Sequence, residues 1–164
     1  MGVEPLLFYV LFAIFIFQSI VILRPYERGV TLRLGRLVGE IGPGINFIIP
    51  FVDKVTRVST QEREISINSI QVKDSLGRTG ELSILIKFQI INPTDALMNV
   101  ADYEYALIKL SETCIIEFVR DRRLSGLSQD AKQLEDSVLS KLKDFAMTIG
   151  VRVDSITISN FEIR

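Results

Sequence analysis

Residues 82–91 carry the sequence LSILIKFQII, and the four residues that follow them, 92–95, are NPTD. Alternate side chains in the first stretch are large and apolar, which is typical of a β-strand with one buried face. The step Asn92-Pro93 should end this strand and begin a helical region, because proline cannot donate to a sheet but fits the first turn of a helix. The residues predicted on the buried face are Leu82, Ile84, Ile86, Phe88 and Ile90.

The chain on either side of this strand divides into a β-rich part and a part that contains helices. Before it, between residues 28 and 92, short strands are separated by the turn sequence Gly42-Pro43-Gly44 and by a predicted hairpin loop at 74–78. After it, apolar side chains recur at steps of three and four over residues 103–118 and 128–149, which predicts two amphipathic helices. Residues 151–163 alternate as a strand whose phase changes twice, so we expect two bulges and strong curvature.

An uncharged stretch at residues 6–23 precedes all of these elements. As a helix it would be about 27 Å long, close to the hydrocarbon thickness of a bilayer. A cleaved signal peptide would begin with basic residues, whereas this chain begins Met-Gly-Val-Glu, and no small-residue cleavage site follows. A helix of the core would carry a polar stripe, which the stretch lacks. We therefore expect residues 1–24 to be a retained membrane anchor.

The flanking charges indicate how this anchor is oriented. Basic residues are concentrated after it, and only Glu4 and the α-amino group precede it. Positive residues favour the cytoplasmic side, so we expect a single-pass protein of the cell membrane with its C-terminal domain in the cytoplasm. The arginines expected near lipid headgroups are Arg24, Arg28, Arg33 and Arg36. The anchor residues expected to contact lipid are Leu6, Phe8, Leu11, Phe12, Ile14, Phe15, Phe17, Ile20 and Leu23.

A second uncharged segment, residues 41–52, is unusual for a loop that faces water. One interpretation is a strand that is buried against the helices. The other is an apolar edge that enters the headgroup layer near the anchor and contacts lipid. The residues leave both open. The large apolar side chains concerned are Ile45, Phe47, Ile48, Ile49 and Phe51.

Composition excludes several classes of function. Histidine is absent, which removes Ser-His and Cys-His nucleophile pairs and histidine-containing zinc sites, and the glycines do not form a phosphate-binding loop. The 19 basic and 20 acidic residues nearly balance, which argues against nucleic acid as a partner. The one cysteine, Cys114, falls on the apolar face of a predicted helix and is expected to be a core residue. We therefore expect no enzymatic activity, no cofactor and no metal.

A series of short motifs follows the apolar N-terminal segment: Glu27-Arg28-Gly29-Val30, Arg33-Leu34-Gly35-Arg36, Gly42-Pro43-Gly44, Phe47-Ile48-Ile49-Pro50, Thr60-Gln61, Lys73-Asp74, Asn92-Pro93-Thr94-Asp95-Ala96 and Tyr103-Glu104-Tyr105-Ala106. The order and spacing of these motifs resemble those of the stomatin–prohibitin–flotillin (SPFH) superfamily, and most closely its prokaryotic stomatin-like, or band 7, branch. The resemblance covers residues 5–164 and weakens after Arg120.

This resemblance implies an α+β fold with a curved, mostly antiparallel sheet and helices packed on one side, preceded by the membrane helix. It implies a β-rich, membrane-proximal first lobe at residues 25–95 and a second lobe at 96–164. Family members continue into a long charged helix that forms a coiled coil, whereas this chain ends at Arg164, so we expect a truncated form.

The resemblance also implies a non-enzymatic scaffold that assembles into rings or cages in the membrane and organises a microdomain and its client proteins. The implied partners are the lipid bilayer, further copies of the chain, and either an NfeD-class membrane protein or a membrane protease. The alternative is a regulatory subunit that controls a membrane protease or channel in a hetero-complex. A subunit interface could pair basic and acidic residues of neighbouring copies, namely Arg120, Arg122 and Arg123 with Glu135 and Asp136.

Overall fold

The computed structural model describes the backbone of residues 3–73, 75–120 and 127–163 and the side chains of residues 8–10, 12–73, 75–120 and 131–158. The chain forms two compact units, Met1–Thr60 and Gln61–Arg164. Both are built from antiparallel strands, and the second adds two long helices, so the predicted α+β class is confirmed. The strands form three separate sheets, whereas a single curved sheet was expected.

The N-terminal stretch is part helix and part strand. Helix α1 spans Val3–Gln18 and strand β1 follows at Ile20–Leu23, so the expected anchor over residues 6–23 is not one continuous helix. Ile20, Val21 and Ile22 are β-branched and favour extended backbone, and β1 pairs with a strand from the uncharged segment. Within the parts of the chain that the structure describes, no helix is both long enough and apolar enough to cross a bilayer.

The remaining strands of the first unit are β2 (Glu27–Arg33), β3 (Arg36–Ile41), β4 (Gly44–Phe47) and β5 (Asp53–Ser59). They form a two-stranded ribbon, β1–β4, and a three-stranded sheet in the order β3-β2-β5. Gly29 lies in the central strand of that sheet, where an added Cβ would lie 2.6 Å from Cγ1 of Ile41 and 2.8 Å from Cγ1 of Val55. A larger residue at this position would force the side chains of Ile41 and Val55 to move.

The second unit is built on a sheet of β6 (Arg63–Lys73), β7 (Thr79–Ile90) and β8 (Val151–Ile163), with β7 in the centre. The prediction from residues 82–91 is confirmed, because all five side chains assigned to the inner face of β7 are at most 2% exposed. Strands β6 and β7, which the sequence assigned to the first lobe, lie in this unit because they pair with the C-terminal strand. The unit boundary therefore lies at Thr60, whereas the expected lobe boundary lies at residue 95.

The two bulges expected in the last strand are present. The register of β8 against β7 shifts once between the partners of Lys87 and Phe88 and again between those of Leu82 and Ser83. Each shift leaves one residue of β8 out of the ladder, Asp154 in the first case and Asn160 in the second. Bulges let a strand change the side that faces the core, which explains the two changes of phase in the sequence.

Three helices complete the second unit: α2 (Pro93–Met98), α3 (Tyr103–Arg120) and α4 (Leu127–Thr148). The helical region expected after Asn92-Pro93 is confirmed, since the Asn92 side chain accepts from the backbone N–H groups of Thr94 and Asp95 and caps α2. Helix α3 packs on β6, α4 packs on β8, and the two helices pack on each other. Their shared apolar face and the inner face of β7 form the core of this unit.

A close approach of two backbone segments joins these elements. The carbonyl of Gly150 accepts hydrogen bonds from the N–H groups of Ile91 (3.0 Å) and Asn92 (2.9 Å). Gly150 has φ +68° and lies so close to the preceding turn that an added Cβ would collide with the Asn92 carbonyl and lie 2.9 Å from Cβ of Asp95. Only glycine combines this conformation with this contact.

Replacing Gly150 with alanine should therefore lower the free energy of unfolding by more than about 2 kcal/mol. Two destabilising effects contribute: the strain of an alanine at positive φ and the collision of its Cβ with the Asn92 carbonyl. Gly77 provides the matched control, since it has φ +81° with nothing within 4 Å of an added Cβ. Gly77→Ala should cost only the backbone strain, about 1 kcal/mol. Denaturant titration of both variants measures the difference, and equal losses would contradict the importance of the contact.

Candidate membrane-contact surface

The β1–β4 ribbon carries an exposed apolar face. Ile20 pairs with Phe47 and Ile22 pairs with Ile45, and strand alternation places these four side chains on the same face. All four are exposed, and Phe47 reaches 76%. Leu23, which was predicted to contact lipid, is only 3% exposed and belongs to the core, because it is on the other face of β1. Among the described residues of the first unit, none covers this apolar side of the ribbon.

The loop after the ribbon has apolar side chains in two different environments. Pro50 is buried and Ile48 is half-buried, and the Ile48 N–H donates to the Ser19 carbonyl at 2.8 Å. Ile49 and Phe51 are exposed, Phe51 by 89%. Phe51 also has φ +68°, a left-handed conformation that a bulky residue rarely adopts. A strained, exposed phenylalanine is costly in water, which points to a functional role.

Leu34 has the same two properties, whereas its alternation with Leu32 had suggested the half-buried face of a strand. It forms a two-residue hairpin loop with Gly35, and both residues have positive φ, 50° and 81°, as a type I′ turn requires. Asparagine or glycine normally occupies the first position of this turn, yet here a leucine that is 80% exposed occupies it. The signal that could have identified it is the sequence Leu-Gly between two alternating strands.

A bidentate ion pair holds the two strained turns next to each other. Arg33 donates from Nε and Nη2 to the two carboxylate oxygens of Asp53, at 2.7 and 3.0 Å. The same carboxylate accepts from the Ile49 N–H at 2.9 Å, and the Leu34 N–H donates to the Val52 carbonyl at 3.1 Å. The Arg33 hydrogen bonds, followed by the one from Ile49, lower the pKa of Asp53 below its usual 3.8. Asp53 therefore stays ionised at neutral pH and the pair stays formed.

Helix α1 adds a third apolar surface. The α1 side chains predicted to contact lipid are exposed wherever the structure describes them, and the side chains of Leu6 and Leu11 lie outside the described residues. Helix α1 is connected to the ribbon through Ser19, whose hydroxyl donates to the Phe15 carbonyl at 2.9 Å. The exposed residues are Phe8, Phe12, Ile14, Phe15 and Phe17.

The four arginines expected near headgroups are not equivalent. Arg24, Arg28 and Arg36 are exposed. Arg33 is paired with Asp53, so part of its charge is already balanced within the chain. The two bonds to Asp53 use two of the five N–H groups of the Arg33 guanidinium.

The residues expected at a subunit interface lie in the second unit. Arg120 is exposed at the C-terminal end of α3, and Asp136 is exposed on α4. Glu135 accepts a hydrogen bond from the Ile158 N–H at 2.8 Å, so this carboxylate already has a partner in its own chain. Arg122 and Arg123 lie outside the described residues.

Cys114 and Ser111, two residues of the second unit with potentially nucleophilic side chains, are both buried. Cys114 is buried, and desolvation raises the pKa of its thiol, which disfavours the thiolate. Ser111 is fully buried and donates to the Leu107 carbonyl at 2.6 Å. Among the residues that the structure describes, no cluster of three or more Cys, Asp or Glu side chains could hold a metal ion.

Comparison with known proteins gives one family and a consistent set of relatives. The model of the SPFH domain / Band 7 family matches residues 21–164. An uncharacterised protein of Methanocaldococcus jannaschii is 28% identical over 147 residues, which cover 90% of this chain and 74% of that protein. A stomatin homologue of Pyrococcus horikoshii is 28% identical over 152 residues, or 92% of this chain and 56% of the relative.

A eukaryotic relative gives the same picture. Stomatin-2 of Caenorhabditis elegans is 28% identical over 167 residues, which cover 99% of this chain and 44% of that protein. The chain thus spans about half the length of the two stomatins named here.

Proposed function

The chain belongs to the SPFH domain / Band 7 family, and on this basis we propose that it is a membrane-associated scaffold protein without an active site of its own. The observation that carries the membrane part of this proposal is the exposed apolar surface of the first unit. It combines the ribbon face with two strained turns, at Leu34 and Phe51, whose side chains are almost fully exposed. Together with α1, this surface gives the chain two contacts with lipid.

Lipid contact would remove the unfavourable free energy of exposing this apolar surface to water. Transfer of a phenylalanine or leucine side chain from water into an apolar environment is worth about 1.5–3 kcal/mol. At Leu34 and Phe51 the backbone adopts an unfavourable conformation, with positive φ, and the apolar side chain points outward. The backbone groups beside them are satisfied within the chain, by the Leu34–Val52 and Ile49–Asp53 hydrogen bonds, so the turns can leave water with few unpaired groups.

We extend the proposal to assembly and location on the basis of the family resemblance. Copies of the chain would form rings or cages that organise a membrane microdomain and its client proteins, with an NfeD-class protein or a membrane protease as partner. The chain would pass the cell membrane once, with the C-terminal unit on the cytoplasmic side. Exposed arginines at Arg24, Arg28 and Arg36 follow the apolar N-terminal stretch and favour this orientation.

Site-specific quenching tests the lipid contact. Cysteines replacing Phe47 and Phe51, in a Cys114→Ala background, would carry an environment-sensitive fluorophore, and the protein would be reconstituted with lipids that bear nitroxide groups. We expect a blue shift and strong quenching at both positions. Met147→Cys is the matched control, because Met147 is also an exposed apolar residue but lies on α4. Weak quenching at positions 47 and 51, equal to that at 147, would contradict the proposal.

Cysteine accessibility tests the orientation. In the same Cys114→Ala background, Ser140→Cys places one exposed thiol on α4 of the second unit. A membrane-impermeant maleimide should leave this thiol unlabelled in intact cells and label it after the cells are opened. Full labelling of intact cells would place the second unit outside the cytoplasm.

Mass measurement in a mild detergent distinguishes the scaffold from the regulatory subunit. A scaffold should give large complexes that contain only copies of this chain. The regulatory alternative should instead give a complex of defined composition with a membrane protease or channel. A chain that remains monomeric at all concentrations would contradict self-assembly.

A further inference from the structure

The two strained turns of the first unit, the Leu34 turn (residues 34–35) and the Phe51 turn (residues 49–53), extend from the same end of the three-stranded sheet. Strand β2 ends at Arg33, β5 begins at Asp53, and these two residues are partners in the ladder. The backbones of the turns are also bonded directly, since the Leu34 N–H donates to the Val52 carbonyl at 3.1 Å. Two exposed apolar side chains at positive φ therefore lie on neighbouring turns.

One carboxylate is bonded to both turns. Asp53 accepts two hydrogen bonds from Arg33, the residue before the Leu34 turn. It also accepts from the N–H of Ile49, the first residue of the Phe51 turn. The backbone N–H of Asp53 donates to the Ile49 carbonyl at 2.9 Å, which closes this turn. Hydrogen bonds to a charged acceptor are stronger than neutral ones, so the carboxylate holds the two turns in one arrangement.

Asp53 is placed to act on lipid only through these neighbours. Its side chain is 2% exposed, so the carboxylate itself offers almost no surface to a headgroup. A negative charge near an anionic bilayer would, by itself, weaken binding. A charge effect and a positioning effect of Asp53 therefore have opposite signs, and an experiment can distinguish them.

We propose that the Leu34 and Phe51 turns enter the bilayer as one paired contact and that Asp53 is the positioning residue that holds them together. Insertion of one apolar side chain then keeps the other at the lipid surface, and the second contact requires less ordering than an independent one. This inference rests on the proposed lipid contact and adds the ion pair that organises it. Asp53 thus strengthens a membrane contact that its charge alone would weaken.

Asp53→Asn tests the positioning role, because it keeps the shape of the side chain and removes its charge. The whole chain would be reconstituted in bilayers that contain anionic phosphatidylglycerol and nitroxide-bearing lipid. A fluorophore would be attached to a cysteine at position 34, 51 or 47 in the Cys114→Ala background. We expect the ratio of inserted to water-exposed label at positions 34 and 51 to fall about fivefold, as the added ordering of a side chain predicts.

Position 47 is the internal control for general loss of structure. Phe47 lies on β4, which pairs with β1 and does not belong to the sheet that contains Asp53. Quenching at this position should stay unchanged in Asp53→Asn. Equal losses at positions 34, 47 and 51 would overturn the positioning role, because a structural defect would then explain all three.

Two further variants separate positioning from charge. Arg33→Gln changes the net charge in the opposite direction but breaks the same pair, so it should also lower insertion at positions 34 and 51. Glu40→Gln removes a negative charge from β3, near the opposite end of the same sheet, and should not lower insertion. Increased insertion in Asp53→Asn, equal to that in Glu40→Gln, would overturn the proposal.

The coupling of the two turns is tested without changing the ion pair. Leu34→Asn removes the apolar side chain and suits the turn, because asparagine is favoured at the first position of a type I′ turn. In a chain labelled at position 51, this variant should lower insertion of the label. Met147→Asn, which removes an exposed apolar side chain from the second unit, should leave it unchanged. Unchanged insertion in Leu34→Asn would show that the turns act independently and would overturn the pairing.

The outcome is separable from that of the proposed function. Absence of quenching at positions 47 and 51 in the chain without these substitutions would overturn the lipid contact itself. Quenching at both positions that neither Asp53→Asn nor Arg33→Gln changes would preserve the lipid contact and overturn the positioning role of Asp53.

Discussion

The backbone contact between Gly150 and the Ile91–Asn92 step is the constraint on which the second unit depends. Strand β7 ends there, α2 begins there, and α4 ends immediately before β8 enters the sheet. Two N–H groups share one carbonyl at 3.0 and 2.9 Å, and the side chain of Asn99 donates to the Thr148 carbonyl at 2.9 Å nearby. These bonds set where β8 begins, and so determine which of its residues face the core alongside β7.

The first unit depends on a different kind of constraint, an ion pair between distant residues. The Arg33–Asp53 pair connects the ends of β2 and β5, beside the turns that carry Leu34 and Phe51. Both turns hold bulky apolar residues at positive φ, which the isolated loops would not adopt. A side-chain contact thus fixes a strained backbone, and the strained backbone presents the apolar residues outward.

Much of the second unit could be predicted from the sequence, and less of the first. The alternation in β7, the two phase changes in β8 and the spacing of α3 are all periodic signals, and each appears in the structure. The N-terminal stretch was predicted as one continuous helix, whereas the structure has α1 followed by β1. Uniform apolarity does not distinguish a helix from a helix followed by a β-branched strand. The position of Leu34 was missed because an exposed leucine in a type I′ turn contradicts the usual preference for asparagine or glycine.

The sequence by itself determined the order and type of most elements, the family and the absence of histidine chemistry, because these follow from local periodicity, motif order and composition. Only the tertiary structure decided that the side chains of the Ile45–Phe51 segment are mostly exposed, that Leu23 is buried, and that Arg33 shares its charge with Asp53, twenty residues away. Local backbone preferences act over a few residues. Exposure and charge pairing instead depend on which distant segment packs against a side chain, and that choice is made only when the chain folds.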